Sequence, residues 1–287
     1  MDDVVIGAGH AGLAASWHLA RRGVGHMVLE RGRVGETWRT QRWDSFALNT
    51  PTGMSRLPGV ETDPGPDDGF LVRDAWIAHL DAYATRFALP VRTGADVTGL
   101  SRAPDGTFEI QLADAGETLH ARSVIVAAGA QRNPRIPALA GSLPAGVLQL
   151  PTSGYRNPAA IPPGGILVVG AAQSGGQVVE DLLDAGRAVH LATSRVPRVR
   201  RRTRGRDSFE WLARSGFFDQ AVAALPDPAL QLAPQPIISG VGRHGHTISL
   251  QGLEARGARL LGRLRSIDGS RLTFDDDLGA NIRFGDE

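Results

Sequence analysis

The chain has 287 residues, 42% of them hydrophobic and 21% charged, which leaves room for two cores and matches an ordinary globular composition. The net charge of +1 provides no overall field toward nucleic acid or a lipid surface, and no apolar run approaches the roughly 20 residues that span a bilayer. Cysteine is absent, excluding disulfides, thiolate metal sites and a redox Cys-x-x-Cys pair, and all 31 basic residues are arginine, which excludes Schiff-base chemistry by lysine.

Val4–Ile6 reads as a short buried strand with acidic Asp2 and Asp3 ahead of it, not the basic region of a secretory leader, so the expected location is the cytoplasm. A glycine-rich turn at residues 7–12 opens a helix to about Arg22, which Gly23 ends. His26–Glu30 is the next strand and completes a βαβ unit. Residues 31–70, rich in glycine, proline, tryptophan and polar groups, read as an ordered functional loop. Asp74–Phe87 has helical apolar spacing, and Ala95–Arg102, Thr107–Leu112 and Leu119–Ala127 alternate as strands of an antiparallel meander.

Seven prolines from Pro134 to Pro163 mark a boundary. A second βαβ follows: strand Ile166–Val169, helix Ser174–Ala185 ended by Gly186, and strand Ala188–Thr193. Residues 207–262 are mixed, and Arg259–Ile267 with Arg271–Phe274 reads as a closing hairpin around Asp268-Gly269-Ser270. The expected fold is therefore α/β, with two three-layer Rossmann-like dinucleotide-binding domains on parallel sheets. The first spans residues 1–150 and carries the meander, and the second spans 160–287.

The first turn is a full G-x-G-x-x-G between strand and helix. Gly7 permits the tight turn, Gly9 lets backbone approach a diphosphate, and Gly12 allows close helix–strand packing. The diphosphate then meets unpaired N–H groups and the positive end of the helix dipole. Glu30 ends the second strand where a carboxylate accepts from ribose hydroxyls. The second turn, Gly170-Ala171-Ala172-Gln173-Ser174-Gly175, replaces the middle glycine with Ala172. The step from Gly7 to Glu30, taken from Gly170, lands on Thr193, with Ser194 and Arg195 next. No carboxylate there repels a 2′-phosphate and a guanidinium is at hand, which favours NADPH over NADH, unless Arg195 only opens a solvated loop. Different ribose ligands at the two turns imply two different dinucleotides.

The order GAGHAG (7–12), Glu30, GETW (35–38), VIVAAG (124–129), YRNP (155–158) and GAAQSG (170–175) resembles the class B flavin-dependent monooxygenases. These include the flavin-containing, N-hydroxylating and Baeyer–Villiger enzymes, and the resemblance covers nearly the whole chain. It implies that Gly7, Gly9, Gly12 and Glu30, with Arg31 beside it, hold the ADP half of FAD. Thr37 and Trp38 would line the isoalloxazine side with Trp43 nearby, and Asn49 would stand beside the flavin C4a as the catalytic candidate. Asp96 and Val97 would meet the adenine through backbone, and Ala127-Ala128-Gly129 stands where the family has Ala-Thr-Gly. Gly170, Ala172, Gln173, Ser174 and Gly175, with Arg195 as selector, would hold NADPH. The family fingerprint F-x-G-x-x-x-H-x-x-x-Y/F fits through Gly146 and Tyr155 with one insertion, but Pro144 fills its phenylalanine slot and Pro151 its histidine slot.

The implied function is oxidation of a small nucleophilic nitrogen or sulfur substrate by O₂, with NADPH and FAD as cofactors. An NADPH oxidase or diaphorase, and a nucleotide-binding protein without turnover, stay open beside it. The arginine-rich run at residues 195–206 lacks interleaved aromatics and reads as a phosphate grip and solvated loop, not a nucleic-acid patch. His244 and His246 have no flanking carboxylate cluster in sequence, so no metal is expected. The family chain returns from its NADPH domain to supply a further FAD-domain strand, and none is found before Glu287. A chain truncated in this way should expose apolar surface around Val124–Ala128 and hold FAD poorly, unless a homo-oligomer covers the gap.

Overall fold

A computed structural model describes residues 3–61, 69–113, 116–130, 133–232, 237–238 and 245–286. The chain divides into two compact units: Met1–Arg42 with Thr52–Asp67 and Leu71–Arg135, and Trp43–Pro51 with Asp68–Phe70 and Ile136–Glu287. The second unit thus takes in a short segment, Trp43–Pro51, from within the stretch that the sequence assigns to the first.

In the first unit, β1 (Asp3–Ile6), α1 (His10–Arg21) and β2 (His26–Leu29) form the expected βαβ, with β1 and β2 parallel in the register Val4↔Met27. Gly23 ends α1 in the left-handed region (φ +68), and its N–H donates to Ala20 O. The stretch read as loop contains a helix, α2 (Glu36–Thr40), which starts at Gly35 (φ +69). Only five residues long and without an apolar stripe, it gives no periodic signal. α3 (Arg73–Arg86) buries Trp76, Leu80 and Tyr83, at i, i+4 and i+7. It leads to β3 (Val91–Arg92), β4 (Val97–Arg102), β5 (Phe108–Leu112), β6 (Thr118–Ala121) and β7 (Ser123–Val126).

The expected strand at 119–127 is two strands in two sheets. β6 closes the antiparallel meander β4-β5-β6, while β7 pairs parallel with β1 in the sheet β3-β2-β1-β7. Exposed Arg122 separates them, and the chain changes sheets there without the glycine or proline that would announce it. The meander packs on the parallel sheet through Val4, Leu29, Ala95, Ile110, Leu112 and Ala121. Burial of each large aliphatic side chain in that cluster stabilises by roughly 1.5–3 kcal/mol.

The second unit holds β8 (Ile166–Val169), α4 (Gln173–Asp184) and β9 (Val189–Ala192) as the expected second βαβ. After it come β10 (Arg198–Val199), the antiparallel pair β11 (Arg202–Thr203) and β12 (Arg206–Asp207), α5 (Ser208–Arg214) and β13 (Ile237–Ile238), which pairs with β10. α6 (Leu250–Ala255), β14 (Arg259–Leu261), β15 (Leu264–Asp268), β16 (Arg271–Phe274) and α7 (Leu278–Asp286) complete the chain. The expected strand 259–267 also divides. β14 joins the parallel sheet β14-β9-β8, and only β15 belongs to the hairpin with β16. Gly262 makes the break: a Cβ there would lie 1.8 Å from Asp275 O.

Arg201 is fully buried in this unit. Its Nε donates to Asp207 Oδ2 at 2.7 Å, and its guanidinium lies between the rings of Phe70 (4.6 Å) and Phe209 (5.2 Å). Among the described residues no helix is long and apolar enough to cross a membrane.

Candidate functional site

The turn after β1 is built by close approach. Gly7 adopts φ +108, and a Cβ on it would come within 2.4 Å of Ala127 O. A Cβ on Gly12 would lie 1.8 Å from Gly7 O, so α1 is held against the turn as the fingerprint requires. Gly9 is different: it caps α1 with ordinary φ (−82), and a Cβ there meets nothing within 4 Å. The space above Gly9 is open, at the mouth of the helix N-terminus.

That space belongs to a cavity of about 530 Å³ in the first unit. Of the residues singled out in the sequence, Gly7, Gly9, Glu30, Arg31, Thr37, Trp38, Asp96, Val97, Ala127, Ala128 and Gly129 line it. Gly12 lies beneath it as the packing glycine. Glu30 is buried, and its two carboxylate oxygens accept from Ala8 N–H (2.8 Å) and Gly32 N–H (3.0 Å). Each oxygen retains a further lone pair for a hydroxyl. Gly35 N–H donates to Ala8 O, which ties α2, carrying Thr37 and Trp38, to the glycine turn. Ala127 N–H donates to Ile6 O, bringing the Ala127-Ala128-Gly129 segment past Gly7, and Gly129 is left-handed (φ +78).

Among the lining residues to which sequence reasoning gave no role are His10 and Arg42. Desolvation holds the His10 imidazole below its ordinary value and lowers Arg42 likewise. The Arg42 guanidinium lies 5.2 Å from the Trp38 ring centroid. His10 is the variable residue of the fingerprint and Arg42 sits in an aperiodic loop, so neither carried a local signal.

The second turn repeats the first. Gly170 has φ +103, Ala172 caps α4 at φ −75, and a Cβ on Gly175 would lie 1.9 Å from Gly170 O. Ala172 and Ser174 are exposed and Gln173 half-buried. β8 and β9 end together at Val169↔Ala192, so Arg195, exposed, lies beyond the same sheet end as Gly170. Thr193, the counterpart of Glu30, is buried, and its hydroxyl donates to Leu261 O and accepts from Asn281 Nδ2. The position that offers a carboxylate in the first unit offers none in the second.

Asn49 and Trp43 do not line the cavity; both belong to the second unit. Trp43 is 2% exposed and packs edge-on to Phe46, with Tyr155 beyond it. Asn49 Oδ1 accepts from Gln177 Nε2 (2.8 Å) and Gln173 Nε2 (3.3 Å). Tyr155 donates to Asp181 Oδ2 (2.5 Å), and burial and that carboxylate push its phenol up. His246 pairs with Glu180 at 2.7 Å, while His244 lies outside the described residues. No group of three or more potential ligands gathers for a metal among the described residues.

A model of the pyridine nucleotide-disulphide oxidoreductase family matches residues 4–211, and the chain belongs to that family. Having no cysteine, this chain cannot itself exchange a disulfide. Among curated relatives, an uncharacterized CzcO-like oxidoreductase of Geobacillus kaustophilus is 35% identical over 67% of this chain and 54% of its own length. The indole-3-pyruvate monooxygenase YUCCA1 of Oryza sativa is 35% identical over 64% of this chain and 45% of its own. The chain thus spans about half the length of these relatives. A flavin-containing monooxygenase of Stenotrophomonas maltophilia shares the fold, with TM-score 0.70 and 23% identity over 96% of this chain and 73% of that one. A bacillithiol disulfide reductase of Bacillus cereus shares it at TM-score 0.64 and 15% identity, over 96% and 72%.

Proposed function

We propose that the first unit binds FAD, the second binds NADPH, and the two serve a monooxygenase that oxidises a small nucleophilic nitrogen or sulfur substrate with O₂. The observation that carries this reading is the doubled glycine turn with a carboxylate at one ribose position and a threonine followed by an arginine at the other. The residues fit FAD: an open approach at Gly9, a helix N-terminus behind it, and Glu30 with lone pairs to spare. When bound, FAD would accept a hydride from NADPH and activate O₂.

The chain's own groups orient and select. Glu30 fixes the ribose, Trp38 and Thr37 flank the isoalloxazine, and Arg195 takes the 2′-phosphate. Relatives named monooxygenases support oxygenation over disulfide reduction, as does the missing cysteine pair.

The test is a visible spectrum of the purified chain after incubation with FAD and dialysis, followed by NADPH oxidation with and without amines or sulfides. A flavin spectrum and substrate-dependent suppression of peroxide release are expected. Peroxide release that no substrate suppresses would point to an oxidase. Absence of flavin would remove the reading.

A further inference from the structure

Residues 198–214 hold seven arginines against two acids, Asp207 and Glu210, in a chain whose net charge is +1. The hairpin β11–β12 and the helix α5 gather this charge in one place within the second unit. Arg201 stays in the interior, paired with Asp207. Arg206 and Arg214 both pair with Glu210, which lies four residues from each. Arg200 and Arg204 are exposed, and neither has a hydrogen-bond or ion-pair partner among the described residues.

The arginine run contains no aromatic residue, but folding brings aromatics to it. Trp211 Nε1 donates to Thr203 O at 3.0 Å, which sets its ring against the hairpin tip where Arg204 turns at φ +51. Phe209, beside the Arg201 guanidinium, stacks on Phe218 at 6.0 Å, and Phe218 meets Phe217 edge-on. Trp211 (38%), Phe217 (56%), Phe218 (50%) and Val222 (61%) are nevertheless exposed, as is Val199 (37%) on β10. Unpaired cations thus adjoin apolar surface left in water.

The headgroup region of an anionic bilayer meets both needs, with phosphates for guanidinium groups and an apolar boundary below them for rings. A single-stranded nucleic acid would stack on the rings but offer little to Val199 and Val222. A second copy would bring the same positive charge to the contact and be repelled. We propose that β11–β12 and α5 form a docking surface for an anionic bilayer. Trp211, Phe217 and Phe218 enter the boundary between headgroups and acyl chains, and Arg200 and Arg204 meet lipid phosphates.

The experiment is flotation of the full chain with vesicles of phosphatidylcholine alone, or of phosphatidylcholine and phosphatidylglycerol in equal parts. The chain should float with the anionic vesicles, be released as salt is raised, and stay behind with the neutral ones. Trp211 emission should move to shorter wavelength on binding, a change lost in Trp211→Phe. Arg200→Gln with Arg204→Gln, and separately Phe217→Ser with Phe218→Ser, should each lower partitioning roughly tenfold or more. All four positions are exposed, so both variants should keep the wild-type Tm and circular dichroism. No flotation with anionic vesicles, equal flotation with both kinds, or partitioning unchanged in both variants overturns the proposal. So does an oligonucleotide bound in place of vesicles, which would assign the surface to nucleic acid. An oligomer lost in the phenylalanine variant while vesicles stay unbound would assign it to a second copy instead.

Discussion

Glu30 holds the cavity in two ways, and the two are separable. Its carboxylate orders the turn through Ala8 N–H and Gly32 N–H, and under the proposed function its remaining lone pairs would accept from the ribose hydroxyls. Glu30→Ala should lose a charged acceptor worth about 1.5–3 kcal/mol, weakening FAD retention roughly ten- to hundredfold. Glu30→Gln keeps one acceptor oxygen and should lie between. Flavin content after dialysis measures it, and content unchanged in Glu30→Ala would remove the ribose role. Arg195 has no such second duty, being exposed and beyond the end of β9. Arg195→Ala should raise the KM for NADPH far more than that for NADH. Equal changes would show that it does not read the 2′-phosphate.

Among the elements, the two βαβ units were legible because each joins an apolar run to a glycine turn and a capped helix, all within thirty residues. The divided strands were not. Arg122 and Gly262 carry the chain from one sheet to another, and pairing partners cannot be read from a single strand. Nor could the attachment of Asn49 to α4, which bridges 128 residues between Asn49 and Gln177 with side-chain bonds alone. The cavity's glycines and Glu30 were legible because fingerprint spacing is local; His10 and Arg42 were not, because only folding brings them to it.

α4 also carries a pH-sensitive bond. Glu180 accepts from Arg256 (2.9 Å) and from His246 (2.7 Å), and Asp184 takes the other nitrogen of Arg256. The hydrogen bond to Glu180 raises His246 above its ordinary 6.5. A raised histidine contributes stability that is fully present below 6.5 and lost as pH rises through its folded value. The Tm of the chain should therefore fall from pH 6 to pH 8, and His246→Gln should flatten that fall. A slope identical in the variant would assign it to other groups.

At the scale of the whole molecule, both parallel sheets end on an edge strand with exposed apolar side chains. Ile125 (37%) and Val126 (64%) stand on β7 in the first unit, and Val169 (55%) on β8 in the second. Unpaired edges of this kind associate. Light scattering should show a mass that rises with concentration, and Val126→Glu should reduce the rise; a monomer at all concentrations would contradict this.

The central claim is that two turns hold two different dinucleotides, and calorimetric titration of FAD and NADPH into three proteins tests it most directly. A Cβ on Gly9 would meet no protein atom within 4 Å, so Gly9→Val is expected to fold and to fill space left for a ligand. The account predicts that Gly9→Val weakens FAD by at least about tenfold and leaves NADPH unchanged, while Ala172→Val does the reverse. Both ligands lost with one variant, or neither affected by either, would contradict it.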